Sequence, residues 1–424
     1  MPKTIYKNAE LIPIAQDGIL SQHDLFVENG IITRIAPTNS ETGGESQAGA
    51  QVIDCSGKYL LPGLIDAHIH LFSSYPDDFK MLAAHGVTSV RNMWGNQPVD
   101  LSTPELDSEH IRQEIAAGRI IGPTLVNTSR IFDGTPTVQP TSRSVNTPVQ
   151  AMLFINEAIK EGASQLKVYK HIITEVMDAI HTLGLEHGLR VVGHKPDAVL
   201  AEDFFSKAHS VEHTLTFSLE DVRALQRSSC YFVPTLVVEK NMDLLARGEI
   251  AALKEQVQPY ERYLSPSLDA VWQQLSGEER RERIREWANY DLARQKVARY
   301  VELGGIPAIG TDFPNPYIYP GISLHEELLL LGECGLSNQQ VLFAATRQGA
   351  RVLEIEDKKG TLEIGKDADL LLLNANPLAD LCNTQAIAAV ALRGRHFGRD
   401  MLDALLEDVA RGVKELKERQ EILA

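Results

Sequence analysis

Asp66-Ala67-His68-Ile69-His70 lies within the apolar run LIDAHIHL and sets two imidazoles at alternate positions. Alternate residues of a strand share a face, so His68 and His70 would project together, as a metal-binding pair does. Three other apolar runs each end in one metal-competent side chain: VVGH in His194, SVEH in His213 and AIGTD in Asp312. Four histidines and one carboxylate make a nitrogen-and-oxygen donor set suited to zinc, manganese, iron, cobalt or nickel. The run SQLKVYK adds Lys167, with Tyr169 on the same face two residues on. A lysine inside a fold is costly as an ammonium and tends to lose its proton. Beside two divalent cations it would be repelled unless chemically altered.

These side chains need one scaffold that brings strand ends together. From Pro62 onward, short apolar runs alternate with helical patterns, the mark of repeated βα units. The runs LIDAHIHL, GVTSVRNM, PTLVNTS, SQLKVYK, LRVVGHK, HSVEHT, CYFVPTLVV and IPAIGTD are eight in number, which predicts a (β/α)8 barrel over residues 62–357. Helices are expected at Glu175–His187 and Tyr290–Leu303, where apolar residues recur at three-to-four spacing. A charged helical insertion is expected at about 239–288, between a strand ending near Val238 and the next helix. It follows a strand's C-terminal end, so it is read as either a solvated excursion or a lid.

Both chain ends have strand texture. LFVENGIITRIAP carries a hairpin signal at Glu28-Asn29-Gly30, a Gly/Ser/Glu-rich loop is expected at Ser40–Ala50, and GTLEIGKDADLLLLN and AIAAVALRGRHF follow the barrel. Neither end can build a core alone, so residues 1–61 and 358–400 are expected to form one small β-sandwich domain. Residues 401–424 are predicted to form a peripheral amphipathic helix.

Composition excludes several classes of partner. The chain is 43% hydrophobic with 41 basic and 57 acidic residues, a net charge of −16, and no long basic run. A phosphate-tracking surface needs clustered Lys and Arg, so no nucleic-acid partner is expected. No apolar stretch reaches ~18 residues, so no membrane span is expected. MPKTIYKNAELIPIAQDG has no signal-peptide block, and Cys55, Cys230, Cys334 and Cys382 are scattered. The expectation is a cytoplasmic protein with reduced thiols, a small-molecule substrate and a homo-oligomeric assembly among its options.

Other rim residues are candidates for substrate contact. Tyr169 could donate to a carbonyl or carboxylate, Arg130 and Lys195 could pair a substrate carboxylate, and His171 and His325 fall on the catalytic face. Asp66 is expected to orient one of the two histidines beside it. His23, His85, His110, His181, His187, His209 and His396 read as surface or structural residues.

The stretches LLPGLIDAHIH, GVTSVRNM, GASQLKVY, VVGH, SVEHT, IGTDFP and GTLEIGKDADLLLLNANPL together resemble the amidohydrolase superfamily. The resemblance is strongest to its binuclear members related to prolidases, Xaa-Lys/Arg carboxypeptidases and imidazolonepropionases. It implies two divalent metal ions, zinc first among them. His68, His70 and Asp312 would hold the more buried ion and His194 and His213 the exposed one. Lys167 would be carbamylated and bridge them. A bridging hydroxide would attack the substrate, and Asp312 would take its proton and pass it to the leaving amine. The second strand ends RNMW where relatives often show Arg-Asp, so Asn92 is given a supporting or structural role.

The expected activity is hydrolysis of an amide C–N bond in a dipeptide or N-acyl amino acid. Cyclic amides, ureas and carbamates are the alternative substrates, phosphotriesters a side activity, and a non-catalytic scaffold the remote reading.

Overall fold

The computed structural model describes residues 3–38, 49–71, 74–98 and 105–423. The loop expected at Ser40–Ala50 lies almost wholly outside them.

The two chain ends do build one body. Strand Thr4–Leu11 pairs antiparallel with Leu20–Glu28, which pairs with Ile31–Pro37. On its other side Thr4–Leu11 takes Gln51–Asp54 and then Tyr59–Pro62, both parallel. Tyr59–Pro62 then receives Leu370–Leu373 from the far end of the sequence, followed by Ile387–Leu392 and Arg395–Gly398, all antiparallel. The hairpin at Asn29-Gly30 forms with both residues at positive φ, 52° and 82°, as a two-residue turn between twisted strands requires.

In place of two stacked layers, the structure has one eight-stranded sheet that curls back on itself. Ile32 N donates to Lys366 O at 2.8 Å and Ala368 N to Gly30 O at 2.7 Å, so the strand at one edge is tied to the segment leading into Leu370–Leu373. The leucine run shows why its sequence has no polar alternation. Leu370 and Leu372 enter the sheet's own core with Tyr6, Leu25 and Leu60, while Leu371 and Leu373 face the larger core of the rest of the molecule. A strand buried on both faces has no polar side.

The larger body is built from parallel strands and helices. Leu64–Ile69, Val87–Asn92 and Thr124–Asn127 are hydrogen-bonded in succession, as are Gln165–Val168, Arg190–Gly193, Ser210–Glu212 and Tyr231–Val233. Single contacts join the two groups. Ser129 N donates to Gln165 O at 2.7 Å, Ala308 N to Phe232 O at 2.8 Å, and Ala67 N to Ile309 O at 2.8 Å. The backbone hydrogen bonds therefore pass from segment to segment and return to the first.

Three expected elements differ. IPAIGTD is not a regular strand; Pro307 lacks an N–H and Asp312 sits at φ 60°, so its pairing is reduced to isolated contacts, including the Ile69–Phe313 bridge. The strand expected to run to Val238 stops at Val233. Pro234 follows, Thr235 takes φ 51°, and a helix starts at Leu236. The charged stretch after it folds as helices Leu236–Arg247, Ile250–Val257, Pro266–Leu275 and Glu278–Arg285, with Ser265 capping the third through Leu268 N. The C-terminal helix Arg399–Leu423 is less peripheral than expected. It lays Val409 and Val413 against Met81, and Lys80 reaches Asp408 at 2.7 Å.

Candidate metal centre

His68 is set by two carboxylates and has no freedom to rotate. Its Nδ1 lies 2.9 Å from Glu212 Oε2, and both side chains are fully buried. Burial alone would raise the Glu212 carboxyl, but the Arg91 guanidinium at 2.7 Å and His68 hold it well below the usual range. Glu212 is thus an anion, Nδ1 must be the donor, and the lone pair of His68 falls on Nε2. That atom is buried, has no hydrogen-bond partner among the described residues, and faces Asp312 Oδ1 at 3.2 Å.

His213 repeats the arrangement. Thr235 Oγ1 donates to Pro234 O at 2.8 Å, so it accepts from His213 Nδ1 at 2.6 Å. The His213 lone pair is then on Nε2, 4.0 Å from Asp312 Oδ2. His70 Nε2 lies 2.8 Å from Asp312 Oδ1. Burial holds the imidazoles neutral, pulling His70 down to about 4 and His213 to about 3. Burial would raise Asp312, yet the histidines around it, with His70 Nε2 donating to Oδ1 at 2.8 Å, keep it well below the carboxylate range. Two imidazole lone pairs and an anionic carboxylate therefore converge within 4.8 Å, at His68, His213 and Asp312. His70 Nε2 donates to the carboxylate at 2.8 Å, but among the described residues no donor reaches the buried His68 lone pair, and a cation between the three groups would satisfy it.

His194 and Lys167 complete the group. The His194 ring is 4.7 Å from that of His213, and its Nδ1 is buried without a hydrogen-bond partner among the described residues. Lys167 Nζ is likewise buried and unpartnered, and burial brings its pKa down to about 8. Together with His68, His70, His213 and Asp312, both line a cavity of about 300 Å³.

The backbone is strained where these residues sit. His213, Thr235 and Asp312 all adopt positive φ, at 63°, 51° and 60°. Non-glycine residues pay for this conformation, and such costs collect at functional sites. Gly193, just before His194, has φ 128°, and a Cβ there would lie 2.3 Å from Val168 O and 3.0 Å from Lys167 Cδ. Gly193→Ala should therefore push strand Arg190–Gly193 off Gln165–Val168. We expect a stability loss of about 2 kcal/mol or more and fewer bound metal ions per chain, measured by thermal unfolding and elemental analysis.

Of the residues expected to contact substrate, only Tyr169 lines the cavity, its ring 4.0 Å from His194. Arg130 is turned away and is bound to Glu105 at 2.6 Å and Glu161 at 3.0 Å. Its successor Ile131 reaches the cavity. Lys195, next to His194, is also turned away; its Nζ donates to Pro196 O and Val199 O, each at 2.9 Å. His325 occupies the packed face of helix Ile322–Glu333, between Thr384 Oγ1 at 2.9 Å and His85 O at 3.0 Å. His171 sits outside the cavity, against Pro136 O.

Asp66 holds no imidazole. It accepts from the His68 backbone N at 3.2 Å and from Thr311 N and Oγ1 at 3.0 and 2.7 Å, tying the first strand to the last segment. Asn92 shapes a turn, accepting from Leu71 N and Trp94 N.

Several residues were not anticipated. Arg91 and Glu212 form the buried pair behind His68, Trp94 stacks 4.4 Å from His70, Thr235 holds His213, and Glu239 and Arg280 line the cavity. One signal was present for the pair: opposite charges in two strands otherwise too apolar to face water, SVRNM and SVEH.

A family model described as the amidohydrolase family matches residues 59–396. The chain belongs to the amidohydrolase family. An imidazolonepropionase from Colwellia psychrerythraea is 25% identical over 406 residues, covering 90% of this chain and 93% of the relative. A dihydroorotase from Trichlorobacter lovleyi is 38% identical over 101 residues, a match spanning only 22% of either protein. Among solved structures, a bottromycin amidohydrolase superposes with a TM-score of 0.77 at 23% identity, covering 97% of this chain and 90% of that one. A Xaa-Pro dipeptidase with bound methionine in its active site gives 0.73 at 18% identity, covering 93% and 100%. These likenesses establish a shared α/β amidohydrolase fold.

Proposed function

We propose that the protein is a metal-dependent amidohydrolase on a (β/α)8 barrel, cleaving the C–N bond of a dipeptide or N-acyl amino acid. The observation that carries this reading is the convergence of the His68 and His213 lone pairs on Asp312, at the floor of a cavity sized for a small molecule. His68, His70, His194, His213 and Asp312 would hold divalent ions, zinc foremost, with carbamylated Lys167 shared between two of them. Such ions, when bound, supply a hydroxide at neutral pH and polarise the scissile carbonyl.

The chain's own groups do the rest. Glu212 and Thr235 fix the two imidazoles in the tautomer that turns Nε2 inward. Asp312, anionic and beside three imidazoles, takes the proton of the attacking water and returns it to the departing nitrogen. Burial around Lys167 favours the neutral amine, the form that reacts with CO2. The solved Xaa-Pro dipeptidase supports an open-chain substrate. The near full-length match to an imidazolonepropionase supports a cyclic amide as the second reading.

An amine-release screen of zinc-loaded and manganese-loaded protein against dipeptides, N-acyl amino acids and cyclic amides separates the two. Turnover confined to rings would overturn the open-chain reading. Removing metal with a chelator should abolish turnover and lower the unfolding temperature. Zinc at 100 times its Kd should restore both, adding about 2.7 kcal/mol of stability. A chain whose unfolding is indifferent to zinc would contradict the metal centre itself.

A further inference from the structure

The helix Glu278–Arg285 carries four arginines, and they are not equivalent. Arg281 and Arg285 share Glu278, and Arg283 pairs with Glu279, so these three each face a carboxylate within the helix. Arg280 lines the cavity, half-buried, and no ion pair or hydrogen bond joins it to a carboxylate among the described residues. Its neighbour is Tyr169, which stacks on His194 at 4.0 Å, so this cation stands one aromatic ring from the imidazole cluster. In a chain of net charge −16, a guanidinium left without an acid inside the cavity is poised for a ligand.

The rest of the cavity narrows what that ligand is. Lys170 adds a second cationic group to the lining. The lining carboxylates are partly engaged: Asp312 lies among the histidines, and Glu239 accepts from Thr214 N and Oγ1 at 3.1 and 3.0 Å through one of its two oxygens. The wall contributed by the helices is apolar, with Met242, Val271, Leu275 and Trp287. A free α-ammonium would meet two cations, set against one remaining oxygen of Glu239. A carboxylate would meet Arg280, and an apolar acyl group would meet the wall.

We propose that Arg280 anchors the substrate carboxylate and that the substrate is an N-acyl amino acid with an apolar acyl group, not a dipeptide with a free amine. This rests on the amidohydrolase reading and chooses between its two open-chain substrate classes. It also gives the helices after Tyr231–Val233 a role in specificity.

Calorimetric titration tests it without turnover. Zinc-loaded Asp312→Asn protein is titrated with N-decanoyl-L-phenylalanine, with the corresponding carboxamide, and with the dipeptide Leu-Phe. Losing a charge-assisted contact predicts that adding Arg280→Met weakens binding of the acid roughly 10–100-fold and leaves the carboxamide unchanged. Arg280→Lys should retain part of the affinity, because it keeps the charge and loses the two-pronged geometry. Unaltered carboxamide binding also reports that the helix remains folded. Equal affinity of the acid for both proteins, or no binding of the acid, would overturn the anchor, and tighter binding of Leu-Phe, which carries the same carboxylate, would overturn the N-acyl class. Binding as predicted, with no hydrolysis by the parent enzyme, would instead sink the open-chain hydrolysis reading and leave the anchor standing.

Discussion

Asp312→Asn should reduce kcat by about 10²–10⁴-fold for whichever amide the protein hydrolyses, the range a positioned proton carrier supplies. The side chain is close to isosteric, so volume is not the cause. Asp312 is an anion in contact with three imidazoles, and the amide removes that charge and presents an NH2 to one of them. Two losses follow together. The group that accepts the attacking water's proton is gone, and one anionic metal donor becomes neutral. They separate experimentally: zinc titration reports the donor, while kcat at saturating zinc reports the proton carrier. A scaffold using the same barrel would keep its binding function through this change. Activity within about tenfold of the parent at saturating zinc would remove Asp312 from the proposed role.

Much of the centre was legible because strands expose their chemistry at fixed period. His68 and His70 sit two apart on one strand, and His194, His213 and Asp312 each close an apolar run, so sequence spacing alone brought them to one rim. What failed is equally physical. Arg130 and Lys195 are adjacent to inward-facing positions and therefore point the other way, into Glu105 and Glu161 or backbone carbonyls. Proximity in sequence to a ligand is the wrong criterion on a strand. His325 was placed by its position after AIGTD, but the helix that carries it turns it into the core. Arg280 could not be found at all from EERRERIREW, since four arginines in one helical stretch look alike until packing selects which one faces the cavity. The curled sheet escaped notice because hydrogen bonds between Ile32 and Lys366 link residues that no local pattern relates.

The second large effect should come from Glu212, which no proton need ever visit. Its Oε1 accepts from Arg91 at 2.7 Å and from Ser210 Oγ at 2.5 Å, and its Oε2 accepts from His68 Nδ1 at 2.9 Å. Arg91 also donates to Ala67 O, Gln165 Oε1 and Ser210 Oγ, so it is wholly enclosed by protein acceptors. Glu212→Gln offers one acceptor where two are needed and leaves a buried guanidinium without its counter-charge. Removing one partner of such a pair costs about 3–5 kcal/mol. Arg91→Met should cost a similar amount, for the opposite uncompensated charge. Combining Arg91→Met with Glu212→Gln removes both charges, so the double variant should be more stable than the sum of the single effects predicts. The amide oxygen can then accept from His68 alone. Zinc affinity distinguishes positioning from mere stability. In Glu212→Gln, the tautomer of His68 is no longer enforced, and affinity should fall about 10–100-fold. In the double variant, affinity should recover part of that loss along with stability. If zinc binds the single variant as tightly as the parent, Glu212 serves Arg91 and the core alone, and His68 is oriented by something else.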